Sequence, residues 1–286
     1  MNDQNRSRKT LAILRKIRWL FVVGIGGILA NSYYKVFSTK EIYGGILKSG
    51  CVPFLNCHAC PTAFSSCPIG ILQTFASQSI RKIPYFVLGF LGVFGLTVGR
   101  AACGWLCPFG WLQDVMHRIK SPKYAIAKSF LKLKYVILVV LVLILPYFLD
   151  SHWFSRFCPV GTLIAGIPWV IWNPVRASGI THIGEGWLLW FFSLKVLILF
   201  FFLALFVFYK RPFCRTVCPL GAIYALFNRI SLMRMEVTGK CNDCSLCKQV
   251  CPMDIHIARD PDSPECIRCL ECTVCKQVRV TWGIKK

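Results

Sequence analysis

The seventeen cysteines among the 286 residues are the side chains of this chain best suited to chemistry, and most stand at chelating spacings. The run Cys241-x2-Cys244-x2-Cys247-x3-Cys251-Pro252 sets three thiols where they can wrap one face of a cubane, and carries a fourth onward past a proline. That is the spacing of bacterial two-cluster [4Fe-4S] ferredoxins, where the fourth cysteine ligates the other cluster. A second run, Cys266-x2-Cys269-x2-Cys272-x2-Cys275, has a last spacer one residue short and Lys276 in place of the proline. Crossed ligation then predicts one cluster on Cys241, Cys244, Cys247 and Cys275, and a second on Cys266, Cys269, Cys272 and Cys251. An alternative alignment puts Arg279 in the fourth-ligand place and leaves Cys275 out. A zinc ribbon needs two separated C-x2-C pairs and fits the first run poorly.

Four further elements read Cys-Pro-x-Gly: Cys67–Gly70, Cys107–Gly110, Cys158–Gly161 and Cys218–Gly221. Proline favours the first helical position, so each cysteine should fall at a helix N-cap, where the helix terminus favours a thiolate. Two copies are longer repeats. GRAACGWLCPFGWLQDVMHRI at 99–119 and KRPFCRTVCPLGAIYALFNRI at 210–230 align at an offset of 111, with Cys103 on Cys214 and Cys107 on Cys218. Leu112, Val115, Met116 and Ile119 follow helical spacing, as do Ile223, Leu226, Phe227 and Ile230, so a short helix is expected after each proline.

The rest of the chain must position these thiols in a membrane. The chain is 55% hydrophobic and 16% charged, against about 25% charged in ordinary soluble domains. Spans of about 20 residues are expected near Trp19–Phe37, Ile83–Gly99, Leu133–Leu149 and Trp187–Phe208. Lys and Arg number six in residues 1–18, seven in 100–134 and thirteen from Tyr209 onward, but four in 38–82 and two in 150–186. The positive-inside rule then puts both termini and the middle loop in the cytoplasm. The net charge of +22 is read as setting topology, and nucleic acid is not expected as a partner. The expected fold class is an all-α membrane protein with four transmembrane helices in two pseudo-repeated halves, plus a small cytoplasmic ferredoxin-like domain with two clusters. The boundaries are a basic N-terminus over 1–18, a membrane domain over 19–230 and the tail domain over 231–286.

Sorted by side, Cys103, Cys107, Cys214 and Cys218 face inward, while Cys57, Cys60, Cys67 and Cys158 face outward. Four thiolates on each face is the ligand number of a cubane. For the outward set, disulfides and zinc remain open, since disulfides persist outside the cytoplasm. Cys51 is left over as a structural residue, and no C-x-x-C-H occurs to attach a c-type haem. A 30 Å hydrocarbon core would separate the two faces unless Cys-Pro helices dip inward or a quinone bridges the gap. The apolar stretch 160–172 suits a re-entrant helix. Lys195, inside the fourth span, is either a quinone or polar intramembrane site or a side chain snorkelling outward. His152 and His182 are further quinone contacts to weigh, and His117 is expected in solvent. Trp153, Trp169, Trp172 and Trp187 read as an interfacial belt.

With CGWLCP at 103–108, CRTVCP at 214–219 and the two-run tail, the chain resembles the membrane-bound ferredoxin-type family of NapH and MauN, with NosR-like proteins as more distant relatives. The likeness covers roughly residues 83–275. It implies four spans in the cytoplasmic membrane, cytoplasmic termini, two tail clusters, and electron transfer from quinol toward a redox partner within a complex. The outward CHACPTAFSSCPIG and FCPVG elements depart from that family's pattern and suggest a subfamily with its own outward metal site. No nucleotide-binding loop or hydrolytic constellation is present, so the expected role is an electron-transfer subunit. An iron–sulfur sensor or metallocentre assembly factor, or an anchor with only the tail clusters active, are the alternatives.

Overall fold

A computed structural model describes residues 2–39, 43–77, 83–172, 185–239, 241, 244–275 and 277–283. His182 and Lys276, and the side chains of Trp172 and Trp187, lie outside the described parts. The fold is mostly helical. Helix α1 runs Asn2–Phe21 and continues through π-helical turns at Val22–Ile28 and a last turn at Leu29–Asn31. Helix α2 is Pro68–Ala76, α3 Tyr85–Val98, α4 Ala101–Trp105 and α5 Pro108–Met116. Helix α6 spans Lys128–Leu149, α7 Trp153–Phe157 and α8 Pro159–Ile171. Helix α9 is Glu185–Phe208, followed by α10 at Pro212–Thr216 and α11 at Pro219–Phe227.

Among the described residues, two helical stretches are long and apolar enough to cross a membrane, Lys128–Leu149 and Trp190–Phe208. Two of the expected spans come out shorter. Helix α3 has 14 residues, about 21 Å at 1.5 Å per residue. The first expected span leaves its helical path after Asn31, so Ser32–Phe37 do not extend it. Its glycines serve a close approach. A Cβ on Gly26 would lie 2.0 Å from the Leu106 carbonyl oxygen, whereas one on Gly24 meets nothing within 4 Å. Helix α1 is therefore seated directly on the CGWLCP segment.

All four Cys-Pro elements start helices as expected: Cys67, Cys107, Cys158 and Cys218 are N-caps with proline just inside. The re-entrant expectation for 160–172 corresponds to α8, and α2 is its counterpart from the first loop. Helix α2 packs against the middle of α6, while α8 packs against α9.

The tail departs from the all-α expectation. Strand β1, Met233–Val237, pairs antiparallel with β2, Val278–Trp282, with Met235 opposite Val280. Alternating apolar and polar residues in MRMEV suit a half-buried strand. The short helix α12, Leu246–Val250, and a turn at Glu271–Val274 lie between them. The tail is also packed onto the membrane domain. Met253, Ile267 and Cys269 belong to the same core as Leu91, Phe109 and Phe206. A Cβ on Gly104 would meet the Ile267 carbonyl oxygen at 2.4 Å. Trp105 Nε1 donates to the Arg268 carbonyl at 3.0 Å, and Asn228 Nδ2 donates to the carbonyls of Ser263 and Cys266.

The contrast between neighbouring glycines is testable. Gly26→Ala should destabilise the protein by about 1–3 kcal/mol through overpacking, read as a lower unfolding temperature in detergent. Gly24→Ala should be neutral, or stabilising by about 0.5–1 kcal/mol through helix propensity.

Candidate metal centres

The two copies of the long repeat come together at the base of the helices. Cys214 faces Cys107, Cys103 faces Cys214, and Cys218 faces Cys103, Cys107 and Cys214, all within electrostatic reach. The hydrogen-bond pattern explains the motif. Gly221 N–H donates to Cys218 Sγ at 3.3 Å, and the equivalent Gly110 N–H donates to Cys107 Sγ. The N-cap thiol thus takes a free backbone donor of the first helical turn.

Two arginines close this site from opposite halves. Arg100 and Arg211 stand 111 positions apart, each three residues before the first cysteine of its copy. They are 0% and 1% exposed. Arg100 Nη2 donates to the Cys214 carbonyl at 3.2 Å, and Arg211 Nη1 donates to the Cys103 carbonyl at 3.2 Å. Each guanidinium also fills the space a side chain would take at the motif glycine: a Cβ on Gly110 would lie 3.1 Å from Arg211 Nη1, and one on Gly221 would lie 3.2 Å from Arg100 Nη2. Arg211 holds φ at 45°, a left-handed conformation that non-glycine residues seldom adopt.

A carboxylate backs each arginine. Arg100 bonds Glu265 of the tail at 3.0 Å, and Lys134 of α6 pairs with the same carboxylate. Arg211 bonds Asp114 at 2.6 and 2.7 Å, and Arg18 of α1 joins Asp114 to Glu271. Burial pushes the Glu265 carboxyl up, but Arg100 and Lys134 outweigh it and hold it below its ordinary value. Asp114 behaves alike, burial being outweighed by Arg211 and Arg18. Both therefore stay ionised at neutral pH.

The outward cysteines form a second group. Cys57 faces Cys60, Cys67 faces Cys158, and Cys158 faces Cys57. Cys67, Cys158 and Cys57 line one small cavity with Leu55, Phe154 and Val160. Cys67 accepts from the N–H groups of Ile69, Asn56 and Gly70, and Cys158 from those of Gly161 and Val160. All seventeen cysteines are free thiols, so no disulfide ties this set.

The two groups lie close together. Leu55 N–H donates to the Cys107 sulfur, and Cys158 lies within electrostatic reach of Cys107. Helices α2 and α8 carry Cys67 and Cys158 into the core that also holds Cys103, Cys107, Cys214 and Cys218.

In the tail, Cys275 faces Cys241, Cys244 and Cys247. Cys272 faces Cys266, Cys269 and Cys251, and those four line a cavity together with Cys247, Met253, Ile255, Ile257 and Ile267. Arg279 lies exposed on β2 opposite Glu236, away from that group. Burial pushes the Cys266 thiol up to about 11 and that of Cys269 to about 12. Such thiols keep their protons until a cation displaces them.

The donor sets suit clusters more than single ions. A tetrahedral zinc holds sulfur at about 2.3 Å, which requires four tightly converged thiols. Among the described residues, no group of three or more His, Cys, Asp or Glu side chains is gathered that closely. Thiols that face one another across a cavity, with N–H donors on the sulfurs, fit a four-iron cubane; Glu271 lies beside Cys269 and is held by Arg15 and Arg18.

Other expected residues find different places. Lys195 is half-buried and lines an outer cavity with His58, His152, Arg156 and Trp169, within electrostatic reach of Cys57. His152 Nε2 lies 2.8 Å from Thr74 Oγ1. His117 is part-exposed, and its Nδ1 lies 3.3 Å from the Phe206 carbonyl, because α5 packs along α9. Trp169 does more than mark an interface, since its Nε1 donates to the Ala59 carbonyl at 2.9 Å.

These features define an iron–sulfur protein of the membrane-bound ferredoxin type. Residues 83–126 and 189–237 match the family model described as a 4Fe-4S binding domain, and these two segments carry the four inward cysteines. The chain belongs to the ferredoxin-type iron–sulfur family that includes NapH and MauN. It is 32% identical over 223 residues to the uncharacterized protein MJ0750 of Methanocaldococcus jannaschii, covering 73% of this chain and 82% of that one. It is 27% identical to the ferredoxin-type protein NapH of Haemophilus influenzae, covering 82% of this chain and 72% of the relative. It is 26% identical to the methylamine utilization ferredoxin-type protein MauN of Methylorubrum extorquens, covering 83% and 73%. No solved structure matches.

Removing one partner of a buried ion pair costs about 3–5 kcal/mol. Arg100→Gln should lower the unfolding temperature by that scale and make the tail cleavable by protease under milder conditions. Arg229→Gln, an exposed change, should stay within about 0.5 kcal/mol of wild type.

Proposed function

We propose that this chain is a membrane electron conductor with four [4Fe-4S] sites in one line. The sites are Cys241, Cys244, Cys247 and Cys275; then Cys251, Cys266, Cys269 and Cys272; then Cys103, Cys107, Cys214 and Cys218; then Cys57, Cys60, Cys67 and Cys158. When bound, such clusters supply one-electron transfer between a donor and an acceptor. The observation that carries the reading is a run of thiols within reach of one another from set to set, beginning with Cys247, which packs with Cys266 and Cys272. Cys251 and Cys269 face each other, Arg211 faces both Cys269 and Cys214, and Cys107 faces Cys158. The residues between the sets exclude water: Ile267 lies on Gly104, and Leu55 on Cys107.

The four-span arrangement with cytoplasmic termini is part of this proposal, supported by the loop charges and by the two long apolar helices. A quinone site is placed in the outer cavity. Lys195, Arg156, His58 and His152 supply hydrogen-bonding groups and Trp169 an aromatic wall, with no carboxylate in the lining. That chemistry suits the carbonyl oxygens and flat ring of a quinone. Redox partner proteins would meet the tail and the outward loops.

Anaerobically purified protein should contain about sixteen irons with matching sulfide. Cys214→Ser and Cys158→Ser should each lose about four of these, whereas about eight irons in the wild type would leave only the tail metallated and sink the four-site reading. Lys195→Met should keep wild-type iron but slow reduction of the clusters by a soluble quinol several-fold; an unchanged rate would remove the quinone from this cavity.

A further inference from the structure

The same repeat that pairs Arg100 with Arg211 pairs two other buried polar residues. Gln113 and Tyr224 stand 111 positions apart, each six residues after the Cys-Pro cysteine of its copy, on α5 and α11. Both are 0% exposed. Gln113 Nε2 donates to the sulfur of Cys214, the cysteine of the opposite half, at 3.0 Å. Tyr224 crosses in the same way. Its hydroxyl faces Cys103 of the first half, and beyond it Cys67 and Cys51 of the outward loop.

The two differ in one respect. The Gln113 Nε2 has found a sulfur as well as the Phe109 carbonyl, its Oε1 being unpaired, while the Tyr224 hydroxyl is buried with no hydrogen-bond partner among the described residues. A buried hydroxyl left unpaired is costly, and phenylalanine would fill the same space without that cost. The thiols of Cys103, Cys67 and Cys51 lie within its electrostatic reach, so the thiolate or sulfide of a bound cluster would offer it an acceptor.

We propose that Gln113 and Tyr224 are the paired hydrogen-bond donors that set the reduction potential of the inward four-cysteine site, the tyrosine doing so from its border with the outward site. A donor to cluster sulfur stabilises the reduced, more negative state, so removing it lowers the potential. Both are positioning residues, since neither ligates iron. The proposal rests on the reading of Cys103, Cys107, Cys214 and Cys218 as one cluster site.

The test is an EPR-monitored redox titration of Tyr224→Phe, Gln113→Leu and the double variant, with iron counted on each sample. The inward signal is identified as the one lost in Cys214→Ser. Each single variant should keep wild-type iron and shift that signal to a more negative midpoint, and the double variant should shift it further. Wild-type iron with an unmoved midpoint in Tyr224→Phe would overturn the role of the hydroxyl and leave the cluster reading standing. Absence of any signal lost in Cys214→Ser would overturn both. If Tyr224→Phe does not load iron, Gln113→Leu carries the same test, and an unmoved midpoint there overturns the pairing.

Discussion

The crossed pair of buried arginines is the contact on which the rest of the structure depends. Each guanidinium leaves its own half of the repeat and ends on the backbone carbonyl of the other half's first cysteine. Neither half can therefore complete its cysteine site alone. Burying a guanidinium costs several kcal/mol unless it is fully bonded. The fold meets that cost by bringing a carboxylate to each: Glu265 from the tail to Arg100, and Asp114 from α5 to Arg211. Those acids are then shared with Lys134 and Arg18, so α6 and α1 are joined to the same network. One pair of contacts thus fixes the two halves, the tail and two flanking helices around the inward cysteines.

This arrangement explains why glycine closes the Cys-Pro-x-Gly elements of the two long repeats. At Gly110 and Gly221 the missing side chain is replaced by the opposite arginine, while the glycine N–H turns to the N-cap sulfur. The first turn of each helix is thereby used twice, once for the thiol and once for the guanidinium. Alanine at these positions would not break the helix; it would press on the arginine that holds the other half.

Much of the site was legible in the sequence, because cysteine spacing and proline placement are local signals. Cys67, Cys107, Cys158 and Cys218 are N-caps, and the short helices after Pro108 and Pro219 form. The arginine pair carried a signal as well, since both residues stand three before a cysteine in the aligned copies. What hid it is that its partners, the Cys214 and Cys103 carbonyls, are backbone atoms more than a hundred residues away. The nearness of the outward and inward sets was not legible. Hydropathy reports which residues prefer lipid, but it says nothing about how deep a polar loop such as Leu55–Cys67 sinks between helices. The contact of part-exposed His117 was hidden for a related reason: its neighbour is the Phe206 carbonyl on a helix distant in sequence.

The charge of +22 also takes on a second meaning. Loop counts assign it to topology, yet Arg18, Arg100, Lys134, Arg211, Arg215 and Arg268 are buried. Buried cations do not report on which side a loop lies; they answer buried negative charge. Asp114, Glu265 and Glu271 answer some of them. Arg268, in contrast, is held by the carbonyls of Val98 and Asn228 beside Cys266, and Arg211 faces Cys214 and Cys269 as well as its acid. On the proposed four-site reading, the thiols would become thiolates on taking up metal and would then add anionic charge to the same core. On that reading, part of the basic excess is counter-charge set in place before the metal arrives. It lies where the inward and tail sites meet, the region that would otherwise carry the least compensated negative charge.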